Sequence, residues 1–267
     1  MSADLRELLL PVTDIARRAG REILEVYASA EIIATVKADA SPLTVADLRA
    51  HRLIEDALEA LTPEIPVLSE EAAAIPFAQR SSWPRYWLVD PLDGTKEFLS
   101  GNGQFTVNIA LIEGHSPALG VVHVPVSDTS YQGLPATGAW RVLAGQAPQE
   151  IRVSTRSASP LRVVGSRSHR GDSLDAFLAR VGPHELLPVG SSLKFCMVAE
   201  GAADVYPRLG PTSEWDTAAA HAVVLGARGT VVTLEGAALR YNTGEKLLNP
   251  YFVVSGPSDH DWLALLR

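Results

Sequence analysis

Over residues 2–27, Leu5, Leu8, Leu9, Val12, Ile15, Ala16, Ala19, Ile23 and Val26 recur at steps of three and four. That spacing is the stripe of an amphipathic helix, with Pro11 placed to kink its first turns. A second stripe, Val45, Leu48, Ile54, Ala57, Leu58 and Leu61, predicts a helix over about 44–61 that Pro63 closes. The two helices read as one layer.

After Pro66 the period changes. Short apolar runs at 66–69, 86–89, 105–112 and 118–126, punctuated by Gly and Asp, read as strands of a mainly antiparallel sheet, which 138–144 and 150–154 extend. The polar stretch 155–160 is the candidate boundary. Beyond it, strands at 161–165, 203–207, 230–234 and 251–255 are interleaved with helices near 174–181, 192–201 and 215–225, and a short helix over 259–266 ends the pattern. There is no internal repeat. Strands followed by mixed elements predict an α+β protein of layered sheets and helices, in two halves, 1–154 and 155–267.

Composition narrows the function more than the fold. A chain of 267 residues suits one large domain or two intimately packed halves. Its formal net charge of -8, with no basic run, argues against polymeric nucleic acid as a partner. Cys196 is the single cysteine, so neither an internal disulfide nor a cysteine-rich zinc site is available, as suits a reducing cytoplasm. Asp4, Arg6 and Glu7 stand where a signal peptide needs an apolar core. No apolar run approaches the roughly 18 residues needed to span a bilayer. A soluble, cytoplasmic protein is expected.

The chemistry concentrates at turns. In YWLVDPLDGTKEF an apolar strand ends at Asp90, Pro91 stops the ladder and starts a turn, and Asp93, Gly94 and Thr95 open a short helix. Two carboxylates leaving a strand end within four residues suit hard cations, and free amides at a helix start suit a phosphate. Aspartates in such places also serve as plain turn and cap residues. Ser69, Glu70 and Glu71 follow another short strand; Asp216 falls in the first turn of a helix with Ser213 as its N-cap; Asp47 lies on the second helix, one turn beyond Thr44. Solvated loop, dipole-favoured helix start and solvent-facing helix position are the ordinary readings of the three. Brought together by a fold, these acids repel one another unless cations neutralise them, and oxygen-only donors favour magnesium over zinc or copper.

SEE at 69–71, DPLDGT at 90–95 and WDTAAA at 215–220, in this order and at these separations, resemble the inositol monophosphatase superfamily. Lys96, Glu97 and Phe98 after DGT, FTVNIAL, GSSLKFC at 190–196 and the stretch from Glu200 onward are similar to its 3'(2'),5'-bisphosphate nucleotidase branch. The resemblance covers essentially the whole chain and is weak between Tyr131 and Asp172.

It implies a layered αβαβα sandwich of the inositol monophosphatase and fructose-1,6-bisphosphatase type, with the site at the junction of the two halves. It implies two Mg²⁺ ions: one held by Glu70, Asp90 and the Leu92 carbonyl, the other by Asp90, Asp93 and Asp216, with a third, weaker ion near Glu70 in some accounts of the family. The amides of Gly94 and Thr95 would hold the scissile phosphate, and the Thr95 hydroxyl, partnered by Asp47, would orient and deprotonate the attacking water. The implied reaction removes the 3'-phosphate of adenosine 3',5'-bisphosphate to give AMP, in sulfur metabolism, with phosphoadenosine phosphosulfate as a further substrate and Li⁺ as an inhibitor.

Lys194, assisted by Ser191 and Ser192, is either the contact for the 5'-phosphate of that substrate or a solvated helix lysine. His169 is a candidate platform for adenine, and Arg167, Arg170 and Arg208 are candidate phosphate contacts, each with surface exposure as the alternative. The five tryptophans read as packing groups, and Cys196 as an inert residue on a buried helix face. Other readings keep the fold with inositol monophosphate or a sugar bisphosphate as substrate, or make the chain an inactive magnesium or nucleotide-binding regulator. A haloacid dehalogenase-type phosphatase is disfavoured, because its acids stand two apart in D-x-D-G-T and here they stand three apart.

Overall fold

Asp4 caps the first helix by accepting from the Arg6 amide at 3.0 Å, and α1 (Leu5–Tyr27) then runs unbroken through Pro11. The structure, a computed structural model, describes residues 4–29, 34–36, 42–166 and 172–266. A two-stranded ribbon, β1 (Ala34–Val36) with β2 (Pro42–Thr44), leads into α2 (Val45–Leu61). Thr44 and Asp47 form a reciprocal capping box at the start of α2, which is why that helix begins where it does.

The first large sheet follows the chain almost without interruption. β3 (Val67–Ser69) gives way to a 3-10 turn over Glu70–Ala72 and the short α3 (Phe77–Arg80), before β4 (Arg85–Asp93) and α4 (Thr95–Leu99). Then come β5 (Thr106–Glu113), β6 (Ser116–Val124), β7 (Thr129–Leu134), β8 (Gly138–Val142) and β9 (Gln149–Glu150). The seven strands lie in chain order, β3 parallel to β4 and every other pair antiparallel.

The second sheet has the order β11-β10-β12-β14-β13, built from β10 (Leu161–Ser166), β11 (His184–Val189), β12 (Val205–Arg208), β13 (Thr230–Thr233) and β14 (Phe252–Ser255). Four helices are threaded among them: α5 (Asp172–Val181), α6 (Leu193–Ala199), α7 (Glu214–Gly226) and α8 (Trp262–Leu266).

Alternation along the strands stacks these elements. On β4, Trp87 and Val89 face α1 and α2 with Ile15, Ile23, Ile54 and Leu58, whereas Tyr86 and Leu88 face Phe195, Val198, Ala219 and Val223 of α6 and α7. Val164, Tyr206, Phe252 and Val254 bring the second sheet onto that same middle layer. Its far face, through Val163, Val205 and Val253, meets α5 at Phe177 and α8 at Trp262. The result is the αβαβα sandwich. Because both faces of the first sheet are covered, its strands read as continuous apolar runs rather than as half-polar ones.

The middle layer is unusually close. A Cβ on Gly120 would fall 2.1 Å from the Ala219 carbonyl oxygen, and one on Gly133 would fall 2.4 Å from the Val223 backbone. Only glycine lets the α7 backbone, with Ala218, Ala219, Ala220 and Ala222 beneath it, approach the sheet so closely.

Several expectations from sequence are corrected. Pro91 does not end the ladder: β4 resumes pairing at Asp93, opposite Thr106, after an irregularity between Asp90 and Asp93. A bulge there leaves the missing proline N–H outside the ladder. The strand expected over 150–154 stops at Glu150, because Val153 turns its amide to the Ala227 carbonyl. The strands β1, β2, β7 and β11 are not among those the sequence pattern predicts.

Candidate functional site

The bulge at the end of β4 aims its carboxylates into a cleft of about 560 Å³. Glu70, Asp90, Leu92, Asp93, Gly94 and Thr95 line it from the first sheet, and Ser191, Lys194, Arg208 and Asp216 line it from the chain beyond 155. Gly94 holds φ +93 as the residue before α4, a left-handed turn that brings Thr95 directly onto the cleft wall. Lys96 lies on the rim and is exposed, whereas Glu97 and Phe98 are buried.

Each acid is held by its own local structure. Asp93 accepts from the Ser192 amide at 2.5 Å, from the Asn108 side chain at 3.3 Å and from the Thr106 hydroxyl at 3.5 Å. Thr106 and Asn108 are i and i+2 on β5, so they share a face, and the Ser192 hydroxyl closes the group at 2.9 Å from Thr106 and 2.8 Å from Asn108. Asp216 is the third residue of α7 and accepts from the Ser213 amide at 2.9 Å and from the Thr212 hydroxyl at 2.6 Å, with Ser213 the expected N-cap. Asp90, 1% exposed, accepts from the Leu92 amide at 3.0 Å. Asp47 is buried, not solvent-facing, and accepts from the Thr44 amide and hydroxyl at 2.7 and 2.6 Å.

Electrostatics ties the acids into one group. Burial, then Glu70, Asp93, Asp216 and Asp47 in turn, push the Asp90 carboxyl well above the ordinary range. Burial and the neighbouring Asp216 raise Asp93 to about 7, against the opposing pull of Lys194, the Ser192 amide and Asn108. Asp216 is raised too, chiefly by burial.

Lys194 is not the solvated residue of the ordinary reading. It is buried, donates to the Ser191 carbonyl at 2.5 Å, and sits 5.7 Å from the centre of the Tyr206 ring. Burial lowers it to about 8, while Asp93 pulls the other way. Ser191 turns the chain with φ +48. Arg208, half-buried on the same wall, donates to the carbonyls of Gly210 and Pro211.

Among the described residues no three acidic, histidine or cysteine side chains stand ready-formed around one cation position. The fit to hard cations rests on the donor set: oxygen atoms only, from acids that raise one another's pKa in a shared cleft. Arg167, His169 and Arg170 lie outside the described residues. Trp87 is a packing group whose ring N–H meets the Thr62 hydroxyl at 2.9 Å, and Cys196 is buried with its thiol pushed well up by desolvation. Sequence reasoning missed Thr44, Thr106, Asn108 and Thr212. The one available signal was the i, i+2 pair of polar residues inside the otherwise apolar FTVNIALI.

The sequence matches the model of the inositol monophosphatase family over residues 4–265. It is 49% identical over 249 residues to the 3'(2'),5'-bisphosphate nucleotidase CysQ of Escherichia coli strain K12, covering 93% of this chain and 99% of that protein. The CysQ nucleotidase of Haemophilus influenzae is 36% identical over 261 residues, 97% of each chain. Among solved structures, CysQ from Bacteroides thetaiotaomicron, described as a bacterial member of the inositol monophosphatase family, is similar with a TM-score of 0.83 and 39% identity, covering 94% of this chain and 97% of that one. Among the described residues no helix is long and apolar enough to cross a membrane.

Proposed function

The chain belongs to the inositol monophosphatase family, and from that premise we propose that it is a Mg²⁺-dependent phosphatase that removes the 3'-phosphate of adenosine 3',5'-bisphosphate, giving AMP and phosphate. The observation that carries the reading is one cleft holding both the acid group of Glu70, Asp90, Asp93 and Asp216 and the buried cation Lys194, whose charge acts on Asp93 and Asp216. Similarity to bisphosphate nucleotidases over 93% and 97% of the chain supports the choice of substrate. Phosphoadenosine phosphosulfate, with the same 3'-phosphate, is a second substrate in this proposal, and the cytoplasm is the place of action.

In the reaction a water oxygen forms a bond to phosphorus while the bond to the 3'-oxygen breaks, and the departing oxygen takes up a proton. Mg²⁺, when bound, lowers the pKa of water and neutralises charge on the phosphate and leaving oxygen. Glu70, Asp90, Asp93, Asp216 and the Leu92 carbonyl would hold two such ions, a third weaker one lying near Glu70.

The remaining work falls to residues that hold and orient. The amides of Gly94 and Thr95 face the scissile phosphate, whose charge the start of α4 favours. The Thr95 hydroxyl orients the attacking water, and Asp47 takes its proton. Lys194, with Ser191 beside it, binds the remote 5'-phosphate, and Arg208 on the same wall adds a second positive charge.

Phosphate release measured over nucleotide bisphosphates, adenosine 3'-phosphate and inositol monophosphate, with and without Mg²⁺, tests this reading. Mass spectrometry should show AMP as the product. Exclusive formation of adenosine 3'-phosphate would overturn the regiochemistry, and preference for inositol monophosphate would move the substrate to the sister activity. Absence of turnover on all of them would make the chain a binding protein. Li⁺ should inhibit by occupying a weakly held cation position with half the charge.

A further inference from the structure

Glu70, at the start of the 3-10 turn after β3, lines the cleft, Asp47 on α2 is close enough for its charge to act on Asp90, and a third side chain joins the two elements. His51 stands one turn beyond Asp47 on α2, and its Nδ1 lies 3.0 Å from the hydroxyl of Ser69, the residue immediately before Glu70. On the other side of the ring, Nε2 lies 3.4 Å from the Glu55 carboxylate, a further turn along the same helix. A carboxylate only accepts, so the ring presents a hydrogen at Nε2 to Glu55, and Nδ1 and the Ser69 hydroxyl share the hydrogen bond on the other side.

Two features show that this link is more than incidental. Ser69 occupies the N-cap position of the 3-10 turn that begins with Glu70, yet its side chain makes no capping bond there. The usual use of a serine at such a place is given up for the imidazole. The link is also sheltered: Ser69 is 1% exposed and the His51 side chain 12%.

Hydroxyl, imidazole and carboxylate in a row have the membership of a nucleophilic triad, but Ser69 is sealed off and does not line the cleft, whereas its neighbour Glu70 does. Its part is therefore mechanical. Glu70 leaves the end of a three-residue strand paired on one side only, to β4. β4 anchors that strand end from one side. His51 ties that strand end to the helix on which Asp47 is already locked by Thr44.

We infer that His51 is a positioning residue, which holds the Glu70 carboxylate at a fixed place relative to Asp47; this rests on the phosphatase reading, in which those two acids serve one site. The chain of contacts runs from Glu55 through His51 and Ser69 to the backbone of Glu70, and its product is the geometry of a cation ligand.

The test uses His51→Ala, Ser69→Ala, the double variant and His51→Asn. Each is characterised by calorimetric Mg²⁺ titration, by the Mg²⁺ dependence of turnover, by KM for adenosine 3',5'-bisphosphate and by Tm. Residues behind a metal ligand typically change metal affinity by roughly 10- to 100-fold. His51→Ala, one residue further removed, should weaken Mg²⁺ binding about tenfold and leave KM for the nucleotide nearly unchanged. Ser69→Ala should do the same, and the double variant should be no worse than the stronger single one, since both remove one link. His51→Asn places an amide oxygen near the old Nδ1 position and should restore most of the affinity.

Wild-type Mg²⁺ affinity in His51→Ala and Ser69→Ala, or a lowered Tm with that affinity intact, would overturn the inference while leaving the phosphatase reading in place. A loss that adds across the two variants and that asparagine does not relieve would overturn it as well. Glu70→Gln is the control for the reading beneath it: unchanged Mg²⁺ binding and turnover in that variant would remove Glu70 from the site, and the inference with it.

Discussion

The Lys194 ammonium donates to the Ser191 carbonyl 2.5 Å away, so the charge at the tip of this side chain is folded back onto the loop that precedes its own helix. In the proposed function this held position presents the ammonium to the 5'-phosphate. Lys194→Met keeps the packing and removes the charge. A charge-assisted contact is worth about 1.5–3 kcal/mol. The variant should therefore lose roughly ten- to a hundredfold in kcat/KM on adenosine 3',5'-bisphosphate and almost nothing on adenosine 3'-phosphate. Equal losses on both substrates would put Lys194 with the acids instead.

Asp90 is the acid that all the others press upon, and Asp90→Asn should be the most damaging single change in the cleft. Replacing a group that only supports a ligand costs roughly 10- to 100-fold; a shared ligand should cost at least about a hundredfold in turnover. Asp216→Asn should raise the Mg²⁺ requirement with a smaller effect at saturation. Calorimetric titration beside steady-state kinetics separates the two patterns.

Removing the cations should turn the acid group against the fold. Asp93 is held at about 7 in the folded chain against an ordinary 3.8, so it binds its proton more tightly folded than unfolded. Its contribution to stability is full below the lower value and is lost as pH rises through the higher one. Burial of His123, lowered to about 4, and of His221, lowered to about 3, acts in the opposite sense as pH falls below 6.5. The difference between variants isolates the acid. In EDTA, Asp93→Asn should gain in Tm on wild type as pH climbs from 4 to 7, and Mg²⁺ should reverse the ranking at neutral pH. A gap that stays constant with pH would contradict the raised carboxyl.

Gly133→Ala places a methyl group 2.4 Å from the Val223 backbone, in a layer where nothing flexible can give way. Overpacking of this kind costs about 1–3 kcal/mol. It should also push the C-terminal half of α7 off the sheet and so tilt the helix that carries Asp216 at its other end, and activity at saturating substrate should fall further than the melting temperature alone explains. Chemical denaturation paired with kinetics would show this.

Helix α1 was legible because its buried stripe is purely local, and Asp90 and Asp93 because they flank a turn that Pro91 and Gly94 announce. Helix α2 was legible in extent, but Val45 and Leu48 of its expected stripe are exposed while Ala46, Asp47 and Ala50 are buried, since the capping box turns that first stretch toward the site. β7 was not: Ser130, Gln132 and Gly133 break the apolar pattern, and their reasons are distant ones, His123, Thr13 and the backbone of α7. β11 is an edge strand with exposed Glu185 and Pro188, so half of the usual strand signal is missing. The bulge at Pro91 and the Asp93 partners Thr106, Asn108 and Ser192 depend on register between strands and on a loop 99 residues away from Asp93. Such contacts are made by topology, and the local pattern shows only that Thr106 and Asn108 interrupt an apolar strand, not what they meet.

The glycine seam beneath α7 also decides how the cleft can move. A helix seated backbone to backbone on Gly120 and Gly133 has no clearance in which to slide or tilt, and that same helix carries one wall of the cleft at its first turn. Asp216 is therefore fixed to the same sheet that carries Asp90 and Asp93. Substitutions along this seam should therefore be felt at the acids themselves, although no residue of the seam lines the cleft.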